Sequence, residues 1–343
     1  MIKKGFSSIL WSILRPLCGV LIIGIMIVAA ACGKSPAGMA DETKMGKSAT
    51  DYVTVENYSF TGTTMKSRVP LKPERIIVCG MNAADTLLAF GAGDSVCSMV
   101  LEDPTYLESY KKRFPHAAVH GASLSQEGAI ALRPDFILAM RRFFGPQALG
   151  DTVFWQQNGI GTYIQDASGP IPSLGNFPAC TVESEENFLR NMGTVFGQEK
   201  QAQDEITGIR RELERYGRQS ADGKRPRVLV VEFMPNNIEV FGKNLLSGDI
   251  VTKLGGDIVD YKAPFISMEE LLTAESDIIF IVHHGGKEEE RNALAKIREG
   301  QLRKLKAVKE NRVYPLPYKR LVAPGIHTAE TVRYIGQCMY PDK

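Results

Sequence analysis

The chain of 343 residues has little histidine and lacks the short motifs of several enzyme classes. Its five histidines are scattered, whereas a site for bare Zn²⁺ or Mn²⁺ needs three or four converging histidine and carboxylate ligands. Neither a GxxxxGKS or GxxxxGKT phosphate loop nor a GxSxG nucleophile elbow occurs. We therefore predict no catalytic residues and no bound metal ion, and a bare-metal carrier and an exported hydrolase remain as less favoured alternatives.

An excess of positive charge is also missing once the N-terminal segment is set aside. That segment, residues 1–31, carries Lys3, Lys4 and Arg15 and no acidic residue. Removing its three cations from the chain's 41 basic residues leaves 38, against 39 acidic residues, a net charge of −1. Nucleic-acid binding requires a basic face, so we expect no nucleic-acid partner.

The N-terminal segment has the pattern of an export signal. Its apolar stretch, Leu17–Ala31, is about 15 residues long, shorter than the ~20 residues that a membrane-spanning helix needs. Three alanines then precede Cys32, which is typical of a bacterial lipoprotein signal. We predict a signal peptide over residues 1–31, lipidation of Cys32 and a flexible tether over residues 32–72; a retained transmembrane helix is the alternative. The folded part would be anchored to the cell membrane, facing the periplasm or the cell exterior.

Beyond the tether, short apolar strands alternate with helical patterns. This alternation predicts βαβ units with mainly parallel sheets. A longer pattern, with Ala202, Ile206, Ile209, Leu213 and Tyr216 on one face, predicts a helix too long to lie between two strands of one sheet. We therefore predict an α/β fold of two Rossmann-like lobes, residues 73–196 and 223–343, bridged by a single long backbone helix over residues 197–222.

Three segments carry a resemblance to a known family. Residues 73–94, which begin Pro-Glu-Arg-Ile-Ile-Val and end Gly-Ala-Gly-Asp, and residues 127–139, Glu-Gly-Ala-Ile-Ala-Leu-Arg-Pro-Asp-Phe-Ile-Leu-Ala, resemble the first two conserved blocks of the iron-complex and cobalamin family of ABC-transporter substrate-binding proteins. Residues 267–280 resemble the third block less closely, because Ser276 stands where the family usually has proline. The segments keep the order and spacing of the family.

The resemblance implies a binding protein without catalytic activity. Such proteins hold a bulky ligand between two lobes and deliver it to a membrane permease that is driven by an ATPase. Carried over by position, the resemblance places the acids that dock on the permease at Glu127 and Glu269. The alternative for both is an acid at a helix N-terminus that complements the helix dipole. We expect a monomer.

The ligand should lie where strands end at their carboxyl edges. At these positions the chain offers basic and aromatic side chains, which would suit a large, partly planar anion. A solvated loop is the alternative for the arginine pair, and hydrogen bonding to the backbone is the alternative for His283 and His284. The candidate ligand-binding residues are Met81, Asn82, Met140, Arg141, Arg142, Phe143, Met234, Phe265, His284, Tyr318 and Arg320.

No intrinsic cofactor is expected, and the transported ligand is the open question. A ferric siderophore is the first choice for the ligand. Haem is the second, with Tyr318 or His284 as iron ligand, and a corrinoid such as cobalamin is the third. A disulfide between Cys79 and Cys97 is also left open, because spacing alone does not determine pairing.

Overall fold

The computed structural model describes residues 51–341, apart from residues 102, 122, 166–178, 218–222 and 224. The predicted signal peptide, the lipidation site Cys32 and the tether up to residue 50 lie outside the described residues. No helix in the described part of the chain combines the length and the apolar character needed to cross a membrane.

The N-terminal lobe is built on a parallel sheet with the strand order β5-β4-β3-β6-β7. A β-hairpin, β1 and β2, precedes this sheet and packs against β7. The elements of the lobe are β1 (Tyr52–Tyr58), β2 (Thr64–Pro70), β3 (Ile76–Cys79), α1 (Met81–Ala89), β4 (Val96–Val100), α2 (Leu107–Arg113), β5 (Ala118–His120), α3 (Gln126–Ala131), β6 (Phe136–Met140), α4 (Thr152–Gln157) and β7 (Gly161–Gln165).

The hairpin corrects the predicted extent of the tether. Residues 52–70, which were expected within the tether of residues 32–72, are ordered as strands with alternating burial. Val55 and Asn57 point inward from β1, and the Asn57 amide exchanges two hydrogen bonds with the backbone of Ile164, at 2.7 and 3.1 Å. The inward-facing residues of the hairpin include the polar Asn57 and Ser67. The segment therefore has the polar composition of a tether in the sequence.

The chain then forms two helices, α5 (Val182–Phe196) and α6 (Glu199–Gly217), before it enters the second lobe. Because Gly197 adopts a left-handed conformation at φ 68° and ends α5, the predicted single helix is preceded by a second one. The helix α6 buries Ala202, Ile206, Ile209 and Tyr216, as the sequence pattern predicts.

The C-terminal lobe has a mixed sheet with the order β11-β9-β8-β12-β13, and β10 pairs with β8. The strands β9 and β11 are antiparallel to their neighbours, and the other pairs are parallel. The elements are β8 (Arg227–Phe233), β9 (Ile238–Val240), α7 (Leu246–Lys253), β10 (Asp257–Ile258), β11 (Phe265–Ile266), α8 (Met268–Thr273), β12 (Ile278–His283), α9 (Lys287–Ile297), α10 (Lys306–Lys309), β13 (Val313–Pro317), α11 (Tyr318–Leu321) and α12 (Thr328–Met339).

The two sheets are built on one plan. In each sheet the first strand in sequence, β3 or β8, is central. The next two positions on one side are taken by β6 and β7 in the first sheet and by β12 and β13 in the second. Asp135 before β6 and Asp277 before β12 each accept backbone N–H groups at the start of the central strand, from Arg75 and Arg227 respectively. The predicted fold class of two α/β lobes is confirmed.

The lobes are connected at two places. The first is the helix pair: Val182 at the start of α5 donates its N–H to Asp249 of the C-terminal lobe at 2.8 Å, while Phe188 in the same helix packs on Tyr163 of the N-terminal lobe. The second is residues 318–327, which we call the strap. It leaves the end of β13 and lies against the N-terminal lobe before α12 returns to pack on α6.

Side chains of the N-terminal lobe and of α5 hold the strap by hydrogen bonds. Four of these bonds reach strap backbone groups and one reaches a strap side chain. The bonds are Asn82 Nδ2 to the carbonyl oxygens of Lys319 (2.7 Å) and Val322 (3.2 Å), Gln165 Nε2 to the carbonyl of Ala323 (2.8 Å), the Gly325 N–H to Glu185 Oε2 (2.9 Å), and His327 Nε2 with Asp85 Oδ2 (2.9 Å). The strap is therefore part of the C-terminal half in sequence and bound to the N-terminal lobe in space.

Candidate ligand-binding site

A cavity of about 290 Å³ lies between the two lobes. The N-terminal lobe lines it with residues 80–83, 103, 105, 106, 140 and 165, and the C-terminal half lines it with residues 284–286, 289, 317–319, 322 and 323. Most of these positions directly follow β3, β4, β6, β7, β12 or β13. Because the carboxyl ends of parallel strands meet at one edge of a sheet, both sheets present this edge to the same space.

The wall from the N-terminal lobe is formed where β3 turns into α1. Gly80 makes this turn at φ 124°, a conformation that favours glycine, and Met81 begins the helix. The side chain of Asn82 faces the cavity, and its Nδ2 donates two hydrogen bonds to the strap. Its role in the structure is to join one wall of the cavity to the other.

The wall from the C-terminal half carries a stacked pair of rings. The His284 imidazole lies on the Tyr318 ring with centroids 4.2 Å apart and an angle of 25° between the planes. His284 Nε2 bonds Glu232 Oε1 at 3.0 Å, and 54% of the His284 side chain is exposed against 13% of Glu232. The two rings offer a flat apolar surface of the kind on which an organic ligand can stack.

Glu232 also controls the protonation of His284. The hydrogen bond to Glu232 raises the pKa of His284 above 6.5, and the negative charges of Glu232 and Glu289 add to this effect. Desolvation and the positive charge of Arg142 act in the opposite direction but do not cancel it. Glu239, which lies opposite Glu232 in the β8–β9 register, has a raised pKa because it is partly buried and because Glu232 repels its negative charge.

Five of the candidate ligand-binding residues line the cavity: Met81, Asn82, Met140, His284 and Tyr318. Of the adjacent histidines, His284 faces the cavity, whereas His283 is buried with Nδ1 at 3.1 Å from the carbonyl of Gly285. Of the two interpretations of this pair, a ring that faces the ligand site applies to His284, and hydrogen bonding to the backbone applies to His283.

The arginines and Phe143 lie outside the described lining. After Met140 the chain enters a 3₁₀ turn, Arg141–Phe144, which buries Arg141 and Phe143. The Arg142 guanidinium lies 4.8 Å from the centre of the Phe143 ring. Arg320 donates to the Glu330 carbonyl and stacks on Tyr334 on another side of the strap. The arginines that the sequence suggested for the cavity therefore lie outside its described lining. The positive charge of Arg142 still acts on His284 and lowers its pKa.

Met234 and Phe265 are also outside the described lining. Met234 follows β8 and Phe265 begins the edge strand β11, and they are 38% and 46% exposed. The strand β11 is the edge strand of the sheet and lies three positions from β12, whose end lines the cavity.

Several lining residues were not among the candidates: Asp103, Tyr106, Gln165, Lys319 and Glu289. Asp103 follows β4 and Gln165 is the last residue of β7, so the rule for strand ends could have found them. Glu289 lies one turn into α9 and its position could not be read from a strand end. Lys319 Nζ is 5.2 Å from the centre of the Tyr106 ring across the cavity.

The two candidate docking acids occupy equivalent positions. Ser125 caps α3 and Ser267 caps α8 through their side chains, and Glu127 and Glu269 each stand two residues after the cap. Both glutamates are exposed. Since α3 leads into β6 and α8 into β12, the fold repeats this arrangement once in each lobe.

Metal ligation by a cluster of side chains finds no support in the described chain, where histidine, cysteine and acidic residues form no group of three or more arranged to hold an ion. Cys79 and Cys97 lie on the neighbouring strands β3 and β4 and are not joined by a disulfide.

The fold and the position of the cavity define a two-lobed solute-binding protein. The sequence profile of periplasmic binding proteins matches residues 76–319, and the chain belongs to that family. The resemblance predicted from the three sequence segments is confirmed.

Solved structures share this fold at low sequence identity. A periplasmic binding protein of Veillonella parvula is 24% identical with a TM-score of 0.73, over 85% of this chain and 93% of that one. A catecholate-siderophore-binding protein of Vibrio cholerae is 20% identical with a TM-score of 0.63, over 83% and 99%. A haem-binding protein of a Roseiflexus species is 18% identical with a TM-score of 0.57, over 78% and 98%. Among curated proteins, no sequence matched the chain.

Proposed function

We propose that the protein is the substrate-binding lipoprotein of an ABC importer, which captures an iron complex in the cavity and delivers it to a membrane permease. The observation that carries this proposal is the cavity itself, formed where the carboxyl edges of two sheets face each other. It is lined by the stacked rings of His284 and Tyr318 on one side and by Tyr106 on the other. An aromatic surface with a few polar groups suits an organic chelate.

A ferric siderophore is the first ligand class that we propose. The cavity is at the lower end of the size range of ligand sites, so part of a chelate of ordinary size would remain outside it. Structures with the same fold include proteins named for catecholate-siderophore and petrobactin binding, which supports an iron chelate for this chain.

Haem is the second candidate, because of the bond between His284 and Glu232. A carboxylate that accepts from one imidazole nitrogen orients the ring and raises its basicity, an arrangement that commonly supports a histidine that binds metal through its other nitrogen. In this alternative His284 or Tyr318 would bind the haem iron.

Native mass spectrometry of the mature chain tests the proposal. Ferric siderophores, haem and cobalamin are added separately, and we expect a one-to-one complex with at least one iron compound and none with free Fe³⁺ or Zn²⁺. For haem, a shift of the Soret band that is lost in His284→Ala would identify His284 as the iron ligand. Retention of only a bare metal ion would contradict the proposal.

We propose that the permease contacts Glu127 and Glu269. What supports this role is their exposure and their equivalent positions in the two lobes, which would let one protein engage two similar surfaces of a permease. The partner ATPase follows from the importer role.

We also propose that Cys32 carries the lipid anchor. Cys32→Ser should then prevent palmitate incorporation and either block cleavage of the signal or release the chain from the membrane. Radiolabelled palmitate in the Cys32→Ser chain would contradict the assignment.

A further inference from the structure

Exposed apolar side chains are concentrated in two places on the described part of the chain. Single exposed residues of this kind are ordinary on a protein surface, but a cluster of them indicates a surface that another molecule covers. All of them lie on or beside the helices α3, α4 and α8. Five large apolar residues have between 38% and 48% of their surface exposed: Ile130, Val153, Met234, Phe265 and Met268.

The first cluster, which we call the N-terminal patch, adjoins Glu127 and consists of Ile130 and Val153. Ile130 stands three residues after Glu127 in α3, so the two side chains share one face of this helix. Val153 belongs to the first turn of α4. The starts of α3 and α4 are in contact, because a Cβ added to Gly150 would lie 3.1 Å from Cδ of Gln126, the first residue of α3.

The second cluster, which we call the C-terminal patch, adjoins Glu269 and consists of Met234, Phe265 and Met268. Met268 and Glu269 are the first two residues of α8, and Phe265 stands in β11 just before the cap of this helix. The first residue of β9 is opposite the last residue of β11. The turn between β8 and β9, where Met234 lies, is therefore next to the start of α8.

Each patch lies beside an exposed acid that is available to a partner. Within the described residues, the side chains of Glu127 and Glu269 make no hydrogen bond and no ion pair. Glu270, the neighbour of Glu269, differs because its carboxylate accepts the N–H of Ser267 at 2.7 Å. An unpaired acid with apolar neighbours is complementary to a surface that offers a basic side chain within an apolar area.

Both patches lie at the same edge of their sheets as the cavity. The helices α3, α4 and α8 lead into the parallel strands β6, β7 and β12, so each of them begins near the carboxyl edge of its sheet. The cavity is lined from this edge of both sheets. A partner that contacts both patches therefore lies next to the space between the lobes.

We propose that the two patches and their acids form an amphipathic docking surface for the permease, which meets each acid with a basic side chain and covers the apolar residues with apolar surface of its own. This inference rests on the proposed function and extends the docking contact from two glutamates to the five apolar residues beside them. Met234 and Phe265, which do not line the cavity, contribute to docking in this proposal.

Two other occupants match the surface less well. Anionic lipid headgroups would repel the exposed acids at the centre of the contact. A second copy of the chain meets a similar obstacle, because each patch carries an acid and any pairing of patches would bring like charges together. The permease is therefore the occupant that we test first.

The double variant Ile130→Ser, Met268→Ser tests the proposal, with one exposed apolar side chain changed in each patch. Binding of the mature chain is measured by co-flotation with proteoliposomes that contain the permease complex with which the wild type supports iron uptake. We expect the affinity for these proteoliposomes to fall about tenfold, since two apolar contacts of an interface are lost. Retention of an iron compound, measured by native mass spectrometry, should stay as in the wild type.

The double variant Ile130→Leu, Met268→Leu is the matched control. It changes the same two positions but keeps their apolar surface, so its affinity for the proteoliposomes should stay within about twofold of the wild type. Liposomes of the same lipids without the permease complex give the background, and we expect no binding of the wild type to them.

The outcomes distinguish this inference from the proposed function. Unchanged permease binding by the serine variant, or an equal loss in the leucine variant, overturns the apolar docking surface and leaves the proposed function standing. Equal binding of the wild type to empty liposomes, or a dimer that the serine substitutions dissociate in analytical ultracentrifugation, also overturns it in favour of another occupant. A wild type that retains no iron compound and supports no uptake overturns the proposed function and the inference with it.

Discussion

His284 lies where the central region of the C-terminal sheet meets the cavity, and three neighbours determine its state. Glu232 accepts its Nε2–H, Tyr318 covers one face of its ring, and Arg142 lowers its proton affinity from a distance. A ring that is held in this way has a fixed orientation before any ligand arrives. The pKa of His284 therefore reports directly on whether these contacts of the C-terminal wall are present.

Glu232→Gln should lower the pKa of His284 toward 6.5, because it removes the hydrogen bond to a carboxylate and its negative charge. A histidine with a raised pKa stabilises the fold fully below pH 6.5 and loses this contribution as the pH rises through its folded value. The stability difference between wild type and variant should thus be largest below pH 6.5 and shrink above the folded pKa. An NMR titration of the histidine ring measures the shift, and denaturant unfolding at several pH values measures the stability.

An unaltered His284 titration in the Glu232→Gln protein would show that the bond is not maintained in solution. Glu239→Gln is a suitable comparison, because this neighbouring acid faces Glu232 in the register, whereas the hydrogen bond to His284 is made by Glu232.

Individual site residues were predictable from the sequence where they are the last residue of a parallel strand or follow such a strand directly. Met81, Met140 and His284 meet this condition and face the cavity. Arg141 does not face it, because the 3₁₀ turn after Met140 rotates successive side chains in a way that strand alternation does not anticipate. Contacts made across the cavity, such as Lys319 with Tyr106, depend on how two distant segments meet and have no local signal.

At the scale of secondary-structure elements, the repeated helices α3 and α8 present Glu127 and Glu269 in the same way. The double variant Glu127→Gln, Glu269→Gln should bind the iron complex with unchanged affinity and lose uptake, because these exposed acids lie on helix starts away from the cavity lining. Binding is measured by dialysis and uptake by transport of radioactive iron into cells that carry the permease.

Glu183→Gln is the matched control for the docking variant. Glu183 is exposed and also stands two residues after a helix cap, Thr181 of α5, so it shares the effect of the helix dipole without a proposed contact. Normal uptake by the double variant, or equal loss in the control, would remove the docking role from the two glutamates.

The strap makes a second prediction at this scale. Gly325 has φ 55°, and a Cβ there would lie 2.6 Å from Thr86 Oγ1 and 3.1 Å from the Phe188 ring. Gly325→Ala should therefore lower the free energy of unfolding by about 2–4 kcal/mol. Gly91→Ala is the control, since Gly91 has φ 72° with nothing within 4 Å of the added Cβ and should cost only about 1 kcal/mol.

Denaturant unfolding of the two glycine variants gives both values. Similar losses for Gly325→Ala and Gly91→Ala would mean that the strap is not packed against the N-terminal lobe as closely as the structure has it.

Elements with strong apolar patterns were predictable, and their ends were less so. The strands β3, β6, β8 and β12 are short apolar runs with mostly buried residues, as the alternation of strands and helices predicts. Helix α4, for example, starts at Thr152 because Gly150 has φ 75° and Asp151 caps the helix, and such local features set where a helix begins. The hairpin β1–β2 was missed because its buried positions include the polar residues Asn57 and Ser67, and the Asn57 amide meets its hydrogen-bond partner, the Ile164 backbone, only in the folded lobe.

At the scale of the whole molecule, the two lobes are connected both through the helix pair and through the strap. Each connection restricts bending at the other, so we expect the radius of gyration to change by less than about 1 Å on ligand binding. Small-angle X-ray scattering with and without the iron complex measures this change. A compaction of several ångströms would show that the strap detaches in the ligand-free protein.

The strap also determines where the molecule gives way when its two lobes are pulled apart. Its hydrogen bonds to Asn82, Gln165, Glu185 and Asp85 contribute about 1 kcal/mol each, so the lobes can separate widely only if these bonds break or if the chain bends between β13 and Tyr318. Tyr318 and Lys319 are at once cavity wall and the first residues beyond that bend. Any force that separates the lobes therefore displaces cavity-lining residues before it disturbs either sheet, and the cavity can be opened between two lobes that stay rigid.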